Sequence, residues 1–179
     1  MDAVRSEVRV DVLDVDTFTD LYCTHIDAIF NYCLFRTGNR VVAEDLTSDT
    51  FERAWRARRR YRPERAAFST WLHTIARRVT TDWQRRQRRR QVADLTERYP
   101  DGAPLPESQI EESESQQRLR QLVAGLNNQE QELIALKFGA GMTNRKIGQL
   151  LGKKESAVGS AIYRAMQKLR TVWSEDGPG

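Results

Sequence analysis

The sequence predicts an all-α protein built as two small helical domains joined by a flexible acidic linker. Three observations carry that expectation. Apolar residues recur at helical spacing in successive stretches of the chain. Residues 91–117 interrupt them with three prolines and a glycine, the composition of a linker. Charge is also blocked: the net +4 of the 179 residues resolves into +7 over residues 15–90, −6 over 91–117 and +7 over 118–173, with −2 at each end. Two basic blocks suit a phosphate backbone, which would repel the acidic stretch between them.

Residues 1–14 alternate charge with valine and offer no clear cap, so they are read as a flexible lead. A first helix is expected from near Asp16, because Phe18, Leu21, Tyr22, His25, Ile26, Ile29, Phe30, Cys33 and Leu34 form a wide apolar face; Gly38 and Asn39 stop it. From Val42 a second helix carries the stripe Leu46, Phe51, Ala54 and Trp55. Glu44, Asp45, Asp49 and Glu52 crowd its first turns and Arg53 to Arg60 its last, a polarity that opposes the helix dipole. The same polarity suits a protein partner at the acidic start and nucleic acid near the basic end.

Pro63 is expected to end that helix, and Ser69 to cap a third. Leu72, Ile75, Ala76, Val79 and Trp83 line one face of the third helix. The other holds Arg77, Arg78, Thr81, Gln84, Arg85 and Arg88, with Trp71 at its start. Arginines beside an aromatic suit phosphate clamping and stacking on unpaired bases. A solvated arginine face is the plain alternative.

After the linker, Leu119, Leu122, Val123 and Leu126 open a second helical unit, and Asn127 or Asn128 caps a helix that packs Leu133, Ile134, Leu136 and Phe138. Residues 143–170 then read as two helices at a tight turn. Thr143 caps the first, Met142 and Ile147 make a hydrophobic staple, and Ile147, Leu150 and Leu151 are its core positions. Gly152 suits the left-handed end of the helix, and the small Gly148 permits close helix approach. The second helix turns Val158, Ile162, Ala165, Met166 and Leu169 inward and leaves Glu155, Ser156, Gly159, Ser160, Tyr163, Arg164 and Lys168 for a major groove. Spacing alone fits an ordinary helical hairpin equally well.

Cys23 and Cys33 are too few for a disulfide framework, and His25 and His73 lack the paired short spacings of zinc sites, so no metal or cofactor is expected. No carboxylate cluster with metal spacing, Gly-rich phosphate loop or Cys/His/Asp constellation stands out, so catalysis is not expected. No apolar run is long enough to cross a bilayer, which leads to a cytoplasmic protein without membrane insertion.

Together AEDLTSDTFERAW, FSTWLHTIARRVTTDWQRR, LNNQEQELIALKFGAGMTNRKIGQLLG and SAVGSAIYRAMQKLR, in that order, resemble a bacterial extracytoplasmic-function (ECF) sigma factor of the sigma-70 family. The resemblance implies region two at 15–90 and region four at 118–173, and an alternative sigma factor that binds core RNA polymerase and promoter DNA. It places Asp45, Asp49, Glu52, Arg53 and Arg56 on the polymerase clamp helices. Arg62, Arg65 and Ser69 fall in a base-capturing loop, with Trp71, Arg77, Arg78, Thr81, Arg85 and Arg88 along the minus-ten element. Glu155, Ser156, Ser160, Tyr163 and Arg164 face the minus-thirty-five groove, with Lys153, Lys154 and Lys168 nearer phosphates. The linker would occupy a basic polymerase channel, a placement its own negative charge supports. An anti-sigma protein is left open as a partner. The chain departs from the family at Arg78, commonly asparagine, and at Ala157, Gly159 and Ala161 of the recognition helix. It departs again at Lys146, often glutamate, and at Lys153, usually apolar. Part of the phosphate grip is expected to move to Lys146, Lys153 and Lys154. A free-standing operator-binding regulator is the competing function.

Overall fold

The computed structural model describes residues 13–96, 118 and 121–175, and every regular element among them is helical. Helix α1 spans Val15–Thr37. The Asp14 carboxylate caps it by accepting from the Thr17 amide at 2.8 Å, and those bonds hold the Asp14 carboxyl below its usual range. Leu13 beside it is buried. The end of the expected lead thus belongs to the fold, with a cap where the pattern suggests none; residues 1–12 lie outside the described residues.

Gly38 closes α1 in the left-handed region at φ 65°, and Asn39 caps α2, Arg40–Ala57, by accepting from the Val42 amide at 3.0 Å. This earlier start corrects the expected place of the acidic cluster. No acidic residue lies in the first turn of α2, so the helix dipole does not account for Glu44, Asp45, Asp49 and Glu52. What orders them is ion pairing at four-residue spacing: Glu44 with Arg40, Asp49 with Arg53, Glu52 with Arg56. Nor does α2 run to Pro63. Arg58–Arg60 tighten into a 3-10 turn, and buried Tyr61 leaves it extended, its hydroxyl donating to the Ala66 carbonyl at 3.2 Å.

Helix α3 covers Phe68–Thr96. The Ala67 carbonyl accepts its first bond, from the Trp71 amide at 3.1 Å, so Ser69 lies inside the first turn and is not the cap. The far end of α3 continues beyond residue 90 into the stretch expected as linker. Residues 97–117, which hold the rest of that stretch, lie outside the described residues, as does Leu119.

A short helical stretch at 121–124 precedes α4, Asn128–Ile134. Asn127 is its cap, in a reciprocal box with Glu130. A π-turn, Ala135–Gly139, follows and breaks the 3.6-residue register, so Phe138 is 50% exposed although its spacing places it with buried Leu133, Ile134 and Leu136. Thr143 caps α5, Asn144–Leu151, through the Lys146 amide at 3.3 Å, and Met142 and Ile147 share one core cluster. Helix α6 is Glu155–Glu175. Its buried stripe is Val158, Ile162, Ala165 and Leu169; Met166, expected among them, lies at the edge and is 41% exposed.

Two helical units therefore form as predicted, but their cores are not separate. One contiguous apolar cluster runs from Ile29, Leu72 and Val79 of α1 and α3 to Leu136, Ile147 and Val158 of the second unit.

Candidate nucleic-acid interface

Arg62, Arg65, Arg78, Arg85 and Arg88 are exposed, whereas Ser69, Trp71, Arg77 and Thr81 are half-buried. Trp71 is anchored in an aromatic cluster, its ring 5.1 Å from Tyr61 and 5.4 Å from Phe68. The loop between α2 and α3 is thus seated on a rigid base. Arg62 turns back to donate to the Arg59 and Tyr61 carbonyls at 2.8 and 2.9 Å. The Ser69 carbonyl accepts from His73 Nδ1 at 2.7 Å, leaving His73 Nε2 buried without a partner.

On α2, Asp45, Glu52, Arg53 and Arg56 are exposed and Asp49 is half-buried. Arg53 grips Asp49 with two bonds at 2.7 and 2.9 Å and lies 3.9 Å from Asp82 of α3. Exposed pairs of this kind contribute about 0–1 kcal/mol each, so a partner can exchange them at small cost.

The tight turn between α5 and α6 depends on Gly148. A Cβ there would stand 2.6 Å from the Lys153 carbonyl oxygen, which only glycine avoids. At Gly159 a Cβ would meet only the side-chain end of Asn144, Nδ2 at 3.3 Å, a contact that a small side-chain shift relieves. On the outer side Lys146, Lys153, Lys154, Glu155, Ser156, Ser160, Tyr163, Arg164 and Lys168 are all exposed. Lys168 reaches back to Glu130 of the α4 capping box, and that pair holds the Glu130 carboxyl below its usual range. The expected groove-facing residues thus lie on one helix, α6, with Lys153 and Lys154 in the turn before it, whereas Lys168 is paired with Glu130 and Lys146 of α5 lies near His25 and His73.

Sequence pattern misses one group of residues altogether. Tyr32 and Arg36 of α1 are buried, and both meet Glu132 of α4. Arg77 Nε donates to the same carboxylate at 2.7 Å. Burial first, and the Glu132 charge second, push the Tyr32 hydroxyl far above its usual range. An arginine inside an apolar helix face was the available signal.

Residues 21–90 match the family model for Sigma-70 region 2, and residues 116–169 match that for Sigma-70, region 4. The ECF RNA polymerase sigma factor SigL of Mycobacterium tuberculosis is 30% identical over 163 residues, spanning 88% of this chain and 89% of the relative. The chain belongs to the ECF sigma factor family. BldN of Streptomyces coelicolor, another ECF RNA polymerase sigma factor, is 32% identical over 170 residues; these cover 94% of this chain but 64% of BldN, so the chain spans less than two thirds of that relative. Among solved structures, CnrH in complex with the cytosolic domain of CnrY superposes with a TM-score of 0.70 at 23% identity, covering 93% of this chain and 94% of CnrH, a likeness of fold.

In this sigma factor α1 to α3 belong to region 2 and α4 to α6 to region 4. Two region-2 histidines, His25 and His73, are partly or fully buried near Lys146 of region 4. Burial, and then the Lys146 charge, lower the His25 pKa; burial lowers that of His73, opposed by its bond to the Ser69 carbonyl and aided by His25 and Lys146. Both rings are therefore held neutral. The unfolded chain takes up these protons near pH 6.5 and the folded one only at lower pH, so the stability they hold is intact above pH 6.5 and drains as pH falls below it. The melting temperature is expected to fall between pH 7.5 and 5.5, and His25→Gln to make that fall shallower; thermal melts at both pH values check it.

Proposed function

We propose that this chain is an alternative sigma factor that binds core RNA polymerase, recognises the minus-ten and minus-thirty-five promoter elements and supports promoter melting. The observation that carries the proposal is the presence on one chain of two distinct basic surfaces, on α3 and on α5 and α6, together with the charge-ordered face of α2 that belongs to neither. The names of SigL and BldN as RNA polymerase sigma factors support polymerase as the partner.

In region 4, α6 would enter the minus-thirty-five major groove with Glu155, Ser156, Ser160, Tyr163 and Arg164, while Lys146, Lys153, Lys154 and Lys168 hold phosphates. In region 2, the loop with Arg62, Arg65 and Ser69 would take a base turned out of the minus-ten strand. Trp71, Arg77, Arg78, Thr81, Arg85 and Arg88 would line the strand beside it. Capture of an unstacked base favours the melted over the paired state, which is how a binding protein assists melting without catalysis. Asp45, Asp49, Glu52, Arg53 and Arg56 would dock on the clamp helices of polymerase, with the acidic linker in a basic channel. Action on polymerase and DNA places the protein in the cytoplasm, and no helix among the described residues is long and apolar enough to cross a membrane. An anti-sigma protein is a further candidate partner, since RpoE of Bartonella quintana was solved with the anti-sigma factor NepR.

Permanganate footprinting tests the melting role. Unpaired thymines near minus ten should appear only when the chain and core polymerase are both present; their absence from every bound promoter refutes it. The lysines have a separate signature. Lys146→Ala, Lys153→Ala and Lys154→Ala combined should flatten the salt dependence of promoter binding by up to roughly one unit of slope per lost phosphate contact. An unchanged slope removes their phosphate role.

A further inference from the structure

Glu130 of α4 has two occupations, one for each carboxylate oxygen. Oε2 accepts from the Asn127 amide at 3.1 Å as its half of the capping box, and Oε1 takes the Lys168 ammonium of α6. The carboxylate is fixed in place. Its side chain is only 15% exposed, and its own amide donates back to Asn127 Oδ1 at 3.0 Å. Lys168, with a side chain 58% exposed and a flexible four-carbon stem, is the partner that can move.

The place of this pair gives it a consequence for DNA. Lys168 lies one turn after Arg164, on the side of α6 offered to the groove, and the proposed function gives it a phosphate to hold. In the structure that place is taken by a carboxylate, which resembles a phosphate oxygen in charge sign and in accepting charge-assisted bonds. Among the described residues Lys153 and Lys154 have no ion-pair partner, so of these three lysines Lys168 alone is occupied from within the chain. A phosphate reaches it only by displacing Glu130, and the fixed carboxylate then stays behind to repel that phosphate.

We propose that Glu130 is a positioning residue of the minus-thirty-five surface: it holds Lys168 in place of a DNA phosphate and so withholds one sequence-independent contact from region 4. This rests on the sigma-factor function proposed above. Phosphate contacts strengthen binding to every sequence alike, so a chain that withholds one is retained less by the many indiscriminate sites that compete with a promoter.

Glu130→Gln separates the two occupations. Glutamine keeps the capping box, because its amide oxygen accepts from the Asn127 amide, but it has no charge to hold Lys168. The full chain is titrated with a labelled random-sequence duplex of about 30 base pairs, at salt from about 0.05 to 0.3 M. Glu130→Gln should tighten binding about eightfold at about 0.1 M salt and steepen the logarithmic salt slope by about 0.9, the increments of one recovered phosphate contact. Lys168→Ala alone should leave the parent slope nearly unchanged. Combined with Glu130→Gln it should return both affinity and slope to the parent values, a non-additivity that a merely structural role does not produce. Circular dichroism melts run alongside; should Glu130→Gln fail to fold, the slope of Lys168→Ala, which leaves the capping box intact, still decides.

Loss of a full unit of slope in Lys168→Ala would place that lysine on phosphate already and overturn the proposal. An unchanged slope in folded Glu130→Gln does the same, as does a gain that persists in the double variant, which assigns the effect to overall charge. Run-off transcription with core polymerase is read apart from this titration, which contains no polymerase. Tighter duplex binding without transcription brings down the sigma-factor function and leaves Glu130 setting DNA affinity; transcription with an unmoved slope brings down the Glu130 role alone.

Discussion

Gly148→Ala is expected to lower the melting temperature sharply and to weaken the proposed minus-thirty-five recognition, while binding to core polymerase through the α2 face is retained at temperatures below the melt. The added Cβ would sit 2.6 Å from the Lys153 carbonyl oxygen and 3.5 Å from the Glu155 amide nitrogen. Both are backbone atoms of the turn that joins α5 to α6, so no side-chain rotation relieves the overlap. Overpacking costs up to about 3 kcal/mol, and in a unit of this size that lowers the melting temperature by roughly 10 °C or more. Gly152→Ala is the control. Gly152, unlike Gly148, lies in the left-handed region at φ 65° but has nothing within 4 Å of its Cβ, so it suffers only the left-handed penalty of about 1–2 kcal/mol. Melts and duplex binding of the two variants should rank Gly148→Ala well below Gly152→Ala; equal behaviour contradicts the close-approach role of Gly148.

The second large effect is functional and spares the fold. Asp49→Lys with Glu52→Lys reverses the charge that α2 would offer the clamp helices. Within the chain it removes two surface pairs, Asp49 with Arg53 and Glu52 with Arg56, each worth about 0.3–0.5 kcal/mol as helix pairs. The melting temperature should therefore move by only a few degrees. At an interface, juxtaposed like charges cost several kcal/mol, so affinity for core polymerase should fall by about 100-fold or more. Titration of labelled polymerase with parent and variant measures it. Undiminished affinity removes α2 as the docking face, and a collapse of the melting temperature assigns these residues to the fold instead.

Local chemistry made much of this architecture legible in sequence. Thr143, Gly152 and Gly38 act where their types and spacings place them, because caps and left-handed ends depend on a few adjacent residues. The stripe of α2 was equally readable, since Leu46, Phe51 and Ala54 bury against their own bundle. Pattern failed where a distant segment decides. Tyr32 and Arg36 are buried where α1, α3 and region 4 meet, and Glu132 gains its meaning only beside Tyr32, Arg36 and Arg77, the last 55 positions away. Phe138 lies in a π-turn that no 3.6-residue count anticipates, and Asn39 both ends α1 and caps α2, which puts the α2 acids beyond the first turn. Of the candidate site, the residues that share a face were visible; that Arg77 is tied to region 4 was not.

The most direct measurement is run-off transcription from genomic fragments by core polymerase, with and without this chain, followed by mapping of the start sites. The account predicts new starts that need the chain, preceded by two shared sequence blocks near minus ten and minus thirty-five. Absence of new starts and of polymerase binding, with tight binding of the chain alone to duplex DNA, would contradict it and favour a free-standing regulator.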